Sequence, residues 1–219
     1  MNKLIFTIII LFASLYEKAY AQEIEFSGGL ILNHYYEFVD ENPHYSSEYE
    51  KGLGYSIGFS GQNIFDDSPY PMKFGLEFQY YTGSANIRSS GLGSGGSSIV
   101  DIKNSSLGLN LFPFCLKPVK NFSLNLGVSF DFILNQVIEG ERYSWLMGSA
   151  NTKTEFTEKG DFYVGISLLL QIGYKIHLQD HWYVVPQYQA QVGLFPIYNS
   201  TKSFRNIFGI GIVRMLGVQ

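Results

Sequence analysis

The chain has 219 residues and a formal net charge of −4, with 16% charged, 16% aromatic and 46% hydrophobic residues. An average soluble domain is about 25% charged, so this chain is poor in charge, and its aromatic content excludes a disordered polymer. The single cysteine excludes a disulfide-stapled miniprotein, and the acidic balance offers no basic surface for a nucleic acid.

The first 21 residues have the pattern of a secretory signal peptide. Lys3 precedes an apolar run over residues 4–15, and alanines at positions 19 and 21 form the small-residue cleavage pattern. The run is too short to cross a membrane as a helix, which needs about 20 apolar residues. We therefore predict an exported protein, cleaved after Ala21, with a single mature domain over residues 22–219.

Beyond the signal peptide, apolar and polar residues alternate along the chain. A period of two is typical of β-strands with one apolar face. The alternating segments, in chain order, cover residues 24–38, 52–60, 72–81, 106–111, 122–134, 162–174, 182–194 and 204–218. In the clearest of them, residues 122–134, Phe, Leu and Val occupy every even position, whereas most odd positions carry Ser, Asn, Gly or Asp. The pattern predicts eight strands.

The composition of the two faces favours a membrane barrel. The polar face consists mostly of Gly, Ser, Asn and Gln, which fit inside a narrow barrel, whereas a soluble barrel exposes Lys and Glu to water. The apolar face is bulky, most segments reach the 9–11 residues that span a membrane, and aromatic residues lie near their ends. We predict an all-β, eight-stranded, antiparallel up-and-down transmembrane β-barrel. The alternative is a soluble periplasmic, lipocalin-like barrel with a ligand cavity lined by the apolar face.

The connecting segments differ in length in a regular way. The third and fifth, residues 82–105 and 135–161, are the longest, whereas residues 113–121 and 175–181 are among the shortest. Long extracellular and short periplasmic connections are typical of outer-membrane barrels. We predict that residues 89–98, rich in Gly and Ser, form a flexible loop tip. We also predict that residues 141–157 form a hairpin that continues two strands above the membrane.

With these features the whole mature chain resembles the small outer-membrane β-barrel domain family, of the OmpA/OmpX and PorT-like type. The resemblance rests on the strand pattern, so it implies an architecture rather than an activity. It implies a place in the outer membrane of a Gram-negative cell, contact with outer-membrane lipid and insertion by the barrel assembly machinery. Many such chains end in an aromatic residue that this machinery recognises, whereas this one ends in Leu-Gly-Val-Gln.

Four charged residues on the polar face form a candidate lumen cluster: Glu25, Lys73, Glu77 and Asp131. The interior of an eight-stranded barrel is just wide enough for side chains to fill it, and buried charges are paired. We therefore predict a salt-bridged plug that closes the lumen. The alternative is a narrow channel for small solutes, which needs a continuous water path past these charges.

A second candidate site is the cluster of Arg142, Tyr143 and Trp145 in the predicted outer hairpin. Exposed aromatic and arginine side chains are where binding energy concentrates at interfaces. The same cluster is equally compatible with packing between loops. We predict that the protein has a structural role or binds a protein or other surface ligand through its extracellular loops.

The histidines give little support to an enzyme or a metal site. On the predicted strands, His34 lies among aromatic residues at the membrane boundary and His44 in the first outer loop. His177 and His181 flank Asp180 in a short turn, where solvent-exposed roles are expected. None shares a strand face with a serine nucleophile. We predict a non-enzymatic protein with no catalytic residue, metal ion or cofactor.

Overall fold

A computed structural model of the chain describes residues 23–37, 45–62, 71–91, 94–117, 119–146, 152–160, 162–195 and 201–216. In these residues the strands are β1 (Glu23–Glu37), β2 (Tyr45–Glu50), β3 (Gly52–Gln62), β4 (Lys73–Gly91), β5 (Ser94–Leu116), β6 (Phe122–Leu146), β7 (Thr152–Gly160), β8 (Tyr163–Tyr174), β9 (Ile176–Gln179), β10 (Trp182–Gly193) and β11 (Thr201–Met215). The predicted signal peptide and His44 lie outside the described residues. No helix in the described part is long and apolar enough to cross a membrane.

Eight of these strands form a closed antiparallel ring. Their order is β1, β3, β4, β5, β6, β8, β10 and β11, and β11 pairs back with β1. The other three extend the wall: β2 pairs with β4, β7 with β6, and β9 with β10. The predicted eight-stranded up-and-down barrel is confirmed. Ring closure matters because an open sheet edge would leave unpaired backbone groups in lipid.

The wall of the barrel is apolar outside and polar inside. Leu30 is 69% exposed and Leu53 is 67% exposed on the outer face, whereas Ser129 and Gln191 are fully buried inside. We call the outward apolar side chains of the ring the apolar belt. The soluble alternative is wrong, because it required these side chains to line an internal cavity.

The turns at the end that holds the first and last strand termini are short. Asn121, directly before β6, and Asp180, two residues before β10, have positive φ angles of 69° and 51°. Asn and Asp tolerate this left-handed conformation because their short polar side chains form local hydrogen bonds. We call this the turn end of the barrel; the sequence predicts that it faces the periplasm.

At the opposite end, three neighbouring strands are much longer than a membrane requires. Strands β4, β5 and β6 have 19, 23 and 25 residues, whereas about 9–11 span a bilayer. Together with β2 and β7, their outer parts form a sheet that we call the projection: residues 45–50, 82–91, 94–103, 136–146 and 152–160. The predicted outer hairpin is confirmed by the pairing of β6 with β7.

The sequence prediction of a loop over residues 82–105, with its tip at 89–98, is wrong for the described residues. Ser89 pairs with Gly96 across β4 and β5, and this ladder is continuous from Lys73 to Gly91. Backbone hydrogen bonds form a ladder whatever the side chains are. Here β2 and β6 pair with the outer flanks of β4 and β5, so a Gly/Ser-rich sequence becomes strand.

Candidate functional site

An ion pair between Asp131 on β6 and Arg205 on β11 crosses the centre of the lumen. Arg205 Nη2 lies 2.6 Å from Asp131 Oδ2, and the two side chains are only 2% and 5% exposed. The strands that carry them are separated in the ring by β8 and β10. The side chains therefore meet across the interior rather than along the wall.

Uncharged donors surround the Asp131 carboxylate. Ser129 Oγ donates to Oδ1 at 2.7 Å, Ser167 Oγ donates to Oδ2 at 2.6 Å, and Gln191 Nε2 lies 3.0 Å from both oxygens. A buried carboxylate is costly unless it is paired and hydrogen-bonded, and Asp131 meets both conditions.

Besides Asp131, groups from two other strands, β4 and β8, hold the Arg205 guanidinium. Its Nη1 donates to Gln79 Oε1 at 2.5 Å, its Nη2 donates to Ser167 Oγ at 3.2 Å, and its carbon lies 4.9 Å from the centre of the Tyr81 ring. Sequence analysis missed Arg205. The signal was present, because Arg205 lies an even number of residues from Gly209 and so shares the small-residue face of the last strand.

A second ion pair lies closer to the turn end. Lys73 Nζ is 2.6 Å from Glu25 Oε2, with side chains 7% and 10% exposed, and Lys73 also donates to Gln171 Oε1 at 3.0 Å. All four predicted lumen charges are thus buried inside the barrel. They do not form one cluster, because Lys73 pairs with Glu25 while Asp131 pairs with Arg205.

The fourth predicted charge, Glu77, contacts amides rather than a cation. Its Oε2 accepts hydrogen bonds from Asn110 Nδ2 and Gln189 Nε2, each at 3.0 Å. A cavity of about 30 Å³ lies beside it, lined in part by Lys73 and Glu25. That volume has room for roughly one or two water molecules.

Each end of this polar interior is covered. At the turn end, Glu23 forms ion pairs with Lys117 and Lys175. Towards the projection lies a buried apolar and aromatic cluster of Ile31, Tyr35, Tyr81, Val100, Ile102, Ile138 and Ile207. The hydroxyl of Tyr35 in this cluster accepts a hydrogen bond from Asn104 at 3.1 Å. Side chains therefore fill the described interior in successive layers.

The projection separates the three residues of the second candidate site. The β5–β6 register shifts between Ser105 and Ser106, and above this bulge the even residues of β6 face inward. Arg142 lies on the inner face, with its guanidinium 5.2 Å from the centre of the Phe156 ring. Tyr143 and Trp145 lie on the outer face, so the structure does not bring the three side chains together.

The outer face of the projection carries a small charged cluster. Lys153 Nζ lies 2.7 Å from Glu141 Oε1 and 5.8 Å from the centre of the Tyr143 ring, and the Tyr143 hydroxyl donates to Glu141 Oε2 at 2.5 Å. The hydrogen bonds from Lys153 and Tyr143 lower the pKa of Glu141 below its ordinary value. Trp145 is 43% exposed beside this cluster.

The described histidines are placed apart from one another. His34 is partly buried on the outer face of β1, and His177 Nε2 lies 3.0 Å from the carbonyl oxygen of Asp180 in the turn before β10. Within the described residues, no three His, Cys, Asp or Glu side chains are grouped so that they could hold a metal ion.

Solved structures with a similar fold are small outer-membrane β-barrels. Neisserial surface protein A has a TM-score of 0.38 and 9% identity, covering 88% of this chain and 97% of that one. OprG from Pseudomonas aeruginosa has a TM-score of 0.41 and 12% identity, and the match covers 90% of this chain and 97% of OprG. Ail, the attachment invasion locus protein of Yersinia pestis, has a TM-score of 0.35 and 12% identity, and the match covers 88% of this chain and 99% of Ail. No protein-family model matches the sequence, and neither does any curated protein.

These likenesses are distant, so the assignment rests on the architecture of the chain itself. An antiparallel ring of eight strands, closed without an edge, has bulky apolar side chains outside and paired polar side chains inside. Short turns connect strands at one end and long strands rise from the other. These are the features of outer-membrane barrels, and the chain is an integral β-barrel of the outer-membrane type.

Proposed function

We propose that this protein is a non-enzymatic outer-membrane barrel with a sealed lumen, which binds a ligand outside the cell through its projection. The observation that carries the proposal is the length of β6. About 9–11 of its 25 residues suffice to cross the bilayer, which leaves roughly 14 beyond the membrane. A scaffold for lipid contact alone needs no such extension.

The projection exposes apolar side chains that no lipid would cover. Ile99 is 49% exposed and Trp145 43% on the outer face of β5 and β6, and Leu146, 61% exposed, lies on the inner face of β6. Apolar and aromatic side chains exposed on a water-facing surface are typical of binding sites. The neighbouring Glu141–Lys153 pair supplies polar groups around them.

The filled interior supports a sealed lumen over the channel alternative. A solute would have to displace the Asp131–Arg205 pair, which crosses the lumen and is hydrogen-bonded on both sides. It would also have to pass the apolar cluster towards the projection. Opening that path would separate buried charges from their partners. A protein is strongly destabilised when a buried charge is left unpaired.

The strand register allows the two long hairpins of the projection to be removed, which also leaves β2 without the residues of β4 that it pairs with. Thr82 faces Lys103 across β4 and β5, and Gln136 faces Gly160 across β6 and β7. Replacing residues 83–102 and 137–159 by Asn-Gly turns, which favour tight hairpins, shortens both hairpins without changing the register below. We expect the shortened barrel to keep the gel-mobility shift on heating that marks a closed barrel.

Binding is measured by adhesion of cells that display either protein to a panel of immobilised proteins and polysaccharides. We expect the full chain to confer adhesion and the shortened barrel to lose it. In parallel, both are inserted into planar bilayers, where we expect no stepwise conductance from the full chain. Equal adhesion by the two proteins, or stable conductance steps from the full chain, would contradict the proposal.

A further inference from the structure

A groove of about 560 Å³ lies near the tip of the projection. Most of the residues that line it belong to the inner face of the projection, which continues the inward face of the barrel wall. A groove of this size suits a small molecule or a short segment of a polymer. Its walls include one guanidinium, that of Arg142, and a set of hydroxyl side chains: Ser89, Ser94, Ser98, Ser144 and Thr152.

The strand register places some of these hydroxyls in a row across the sheet. Ser89 of β4 lies opposite Gly96 of β5. On the other side of Gly96 lies Ser144 of β6, whose hydroxyl is 2.6 Å from that of Thr152 on β7. A side chain at position 96 would fill the space between the two serines, since a Cβ there would lie 3.7 Å from Ser89 Oγ. Gly96 therefore forms an open floor flanked by hydroxyl groups.

The next row of the same face holds the cation. Ser98 lies opposite Ile87 on one side and Arg142 on the other. The carbon of the Arg142 guanidinium lies 5.2 Å from the centre of the Phe156 ring, so a cation–π contact orients it. Among the described residues the guanidinium forms no ion pair and no hydrogen bond. Its N–H groups form a planar fork that matches a carboxylate, and contact with an aromatic ring leaves this fork accessible.

The charge of the inner face favours an anion at the groove. Among the described residues of this face, Arg142 and Glu158 are the charged ones. Glu158 lies opposite Ile138, four residues along β6 from Arg142 and thus about 13 Å away. The described outer face carries more carboxylates than cations and repels an anion. An anionic ligand of the projection is therefore directed to the inner face.

The uncharged walls of the groove fit a sugar better than a peptide. Near the groove, the backbones of β4, β5 and β6 are paired on both sides, so this face lacks the free backbone groups that bind an extended peptide. It offers serine and threonine hydroxyls, each of which both donates and accepts hydrogen bonds, as sugar hydroxyls do. Ile87 adds an apolar surface beside them for the C–H groups of a sugar ring.

We propose that this groove binds a carboxylated saccharide. Arg142 binds the sugar carboxylate through its N–H fork, and the hydroxyls around Gly96 and Ser98 bind the sugar hydroxyls. The inference rests on the proposed function, because it names the ligand class of the projection. It is more specific than that function, since adhesion through the outer face or to a protein would leave the proposed function intact.

The test titrates the full chain in lipid nanodiscs with two fluorescent trisaccharides of the same linkage. Trigalacturonate has a carboxylate on each ring, and galactotriose has a hydroxymethyl group in its place. We expect fluorescence polarisation to show tighter binding of trigalacturonate. Arg142→Gln should weaken that binding about tenfold, because hydrogen bonds between charged groups are the strong ones, and should leave the binding of galactotriose unchanged. Ser98→Ala should weaken the binding of both sugars about threefold, the loss of one neutral hydrogen bond.

Arg88→Gln is the matched control. Arg88 lies opposite Ser97 on the outer face, at the level of Arg142 along the sheet. We expect this variant to bind both sugars as the unchanged chain does, and the gel shift on heating shows that each variant folds. Equal affinity for the two sugars, or equal effects of Arg88→Gln and Arg142→Gln, would overturn the proposal.

Two further results separate the ligand class from the proposed function. A triglutamate peptide of similar charge should bind more weakly than trigalacturonate, and equal binding would overturn the inference in favour of a peptide ligand. If cells that display the full chain adhere while the chain binds neither sugar, the saccharide site is refuted and the proposed function stands.

Discussion

The Asp131–Arg205 pair should dominate the stability of the lumen. Arg205→Gln leaves the Asp131 carboxylate buried with only uncharged donors, and Asp131→Asn leaves the guanidinium without an anion in direct contact. Removing one partner of a buried ion pair costs about 3–5 kcal/mol. We expect a loss of this size for each single variant, because the side chains are 2% and 5% exposed and screening by water is small.

The double variant separates the pair from its surroundings. With both charges replaced, no uncompensated charge remains. The double variant should therefore lose much less free energy of unfolding than the two single variants lose together. We expect a coupling energy of about 2–3 kcal/mol, at the upper end for residues in direct contact. Urea unfolding of the barrel in lipid vesicles, followed by gel mobility, gives the three free energies of unfolding.

The control is Lys153→Gln, which breaks an exposed ion pair on the projection. Solvent screens such pairs, so we expect no measurable change in the urea midpoint. If each single lumen variant loses less than about 1 kcal/mol, or if the losses are additive, then the cross-lumen pair does not hold the barrel as argued.

Three further predictions concern the belt, the lumen packing and the projection. Leu126→Lys and Leu168→Lys, at outward positions 42% and 49% exposed, should each cost about 2–4 kcal/mol near the membrane midplane in the same urea assay, and tolerance of both would reverse the assignment of faces. Gly83→Ala should cost about 1–3 kcal/mol, because the new Cβ would lie 2.3 Å from the Tyr35 ring, whereas Gly28→Ala meets nothing closer than 3.8 Å and should be neutral. The lowered pKa of Glu141 means that its contact with Lys153 persists below the ordinary carboxyl range and is lost as the pH falls through the lowered value. Lys153→Gln should therefore raise that pKa in a carboxyl NMR titration, and an unchanged value would contradict the contact.

The fold could be predicted because a membrane barrel makes its two faces chemically different. Alternation identified the inward positions of Lys73, Glu77 and Asp131 and the outward positions of Leu126 and Leu168 without any knowledge of strand pairing. A period of two fixes the face of every residue on a regular strand. It fails where a bulge changes the phase, as between Asp131 and Gln136 on β6. Arg142 and Tyr143 were grouped by their closeness in sequence, but adjacent residues of a strand lie on opposite faces.

The partners within the lumen could not be predicted in the same way. Lys73 and Glu77 share a face of one strand, yet Lys73 reaches Glu25 across β3, and Asp131 reaches Arg205 past two strands. Which side chains meet across a barrel depends on how far each strand is shifted along its neighbour around the closed ring. That stagger is set by the pairing of all the strands together and cannot be read from one strand. A list of inward residues therefore gives the content of the lumen but not its contacts.

The inward glycines show how this register makes the contacts specific. A Cβ on Gly83 would overlap the ring of Tyr35, and a Cβ on Gly211 would lie 2.5 Å from Oε1 of Glu25. Each glycine thus provides the space into which a large side chain of a nearby strand extends, and that side chain then reaches its partner: Tyr35 reaches Asn104, and Glu25 reaches Lys73. The small residues of the polar face do more than fit a narrow interior. Their positions determine which charged and aromatic side chains can cross it, so the lumen is sealed by a particular pairing rather than by bulk alone.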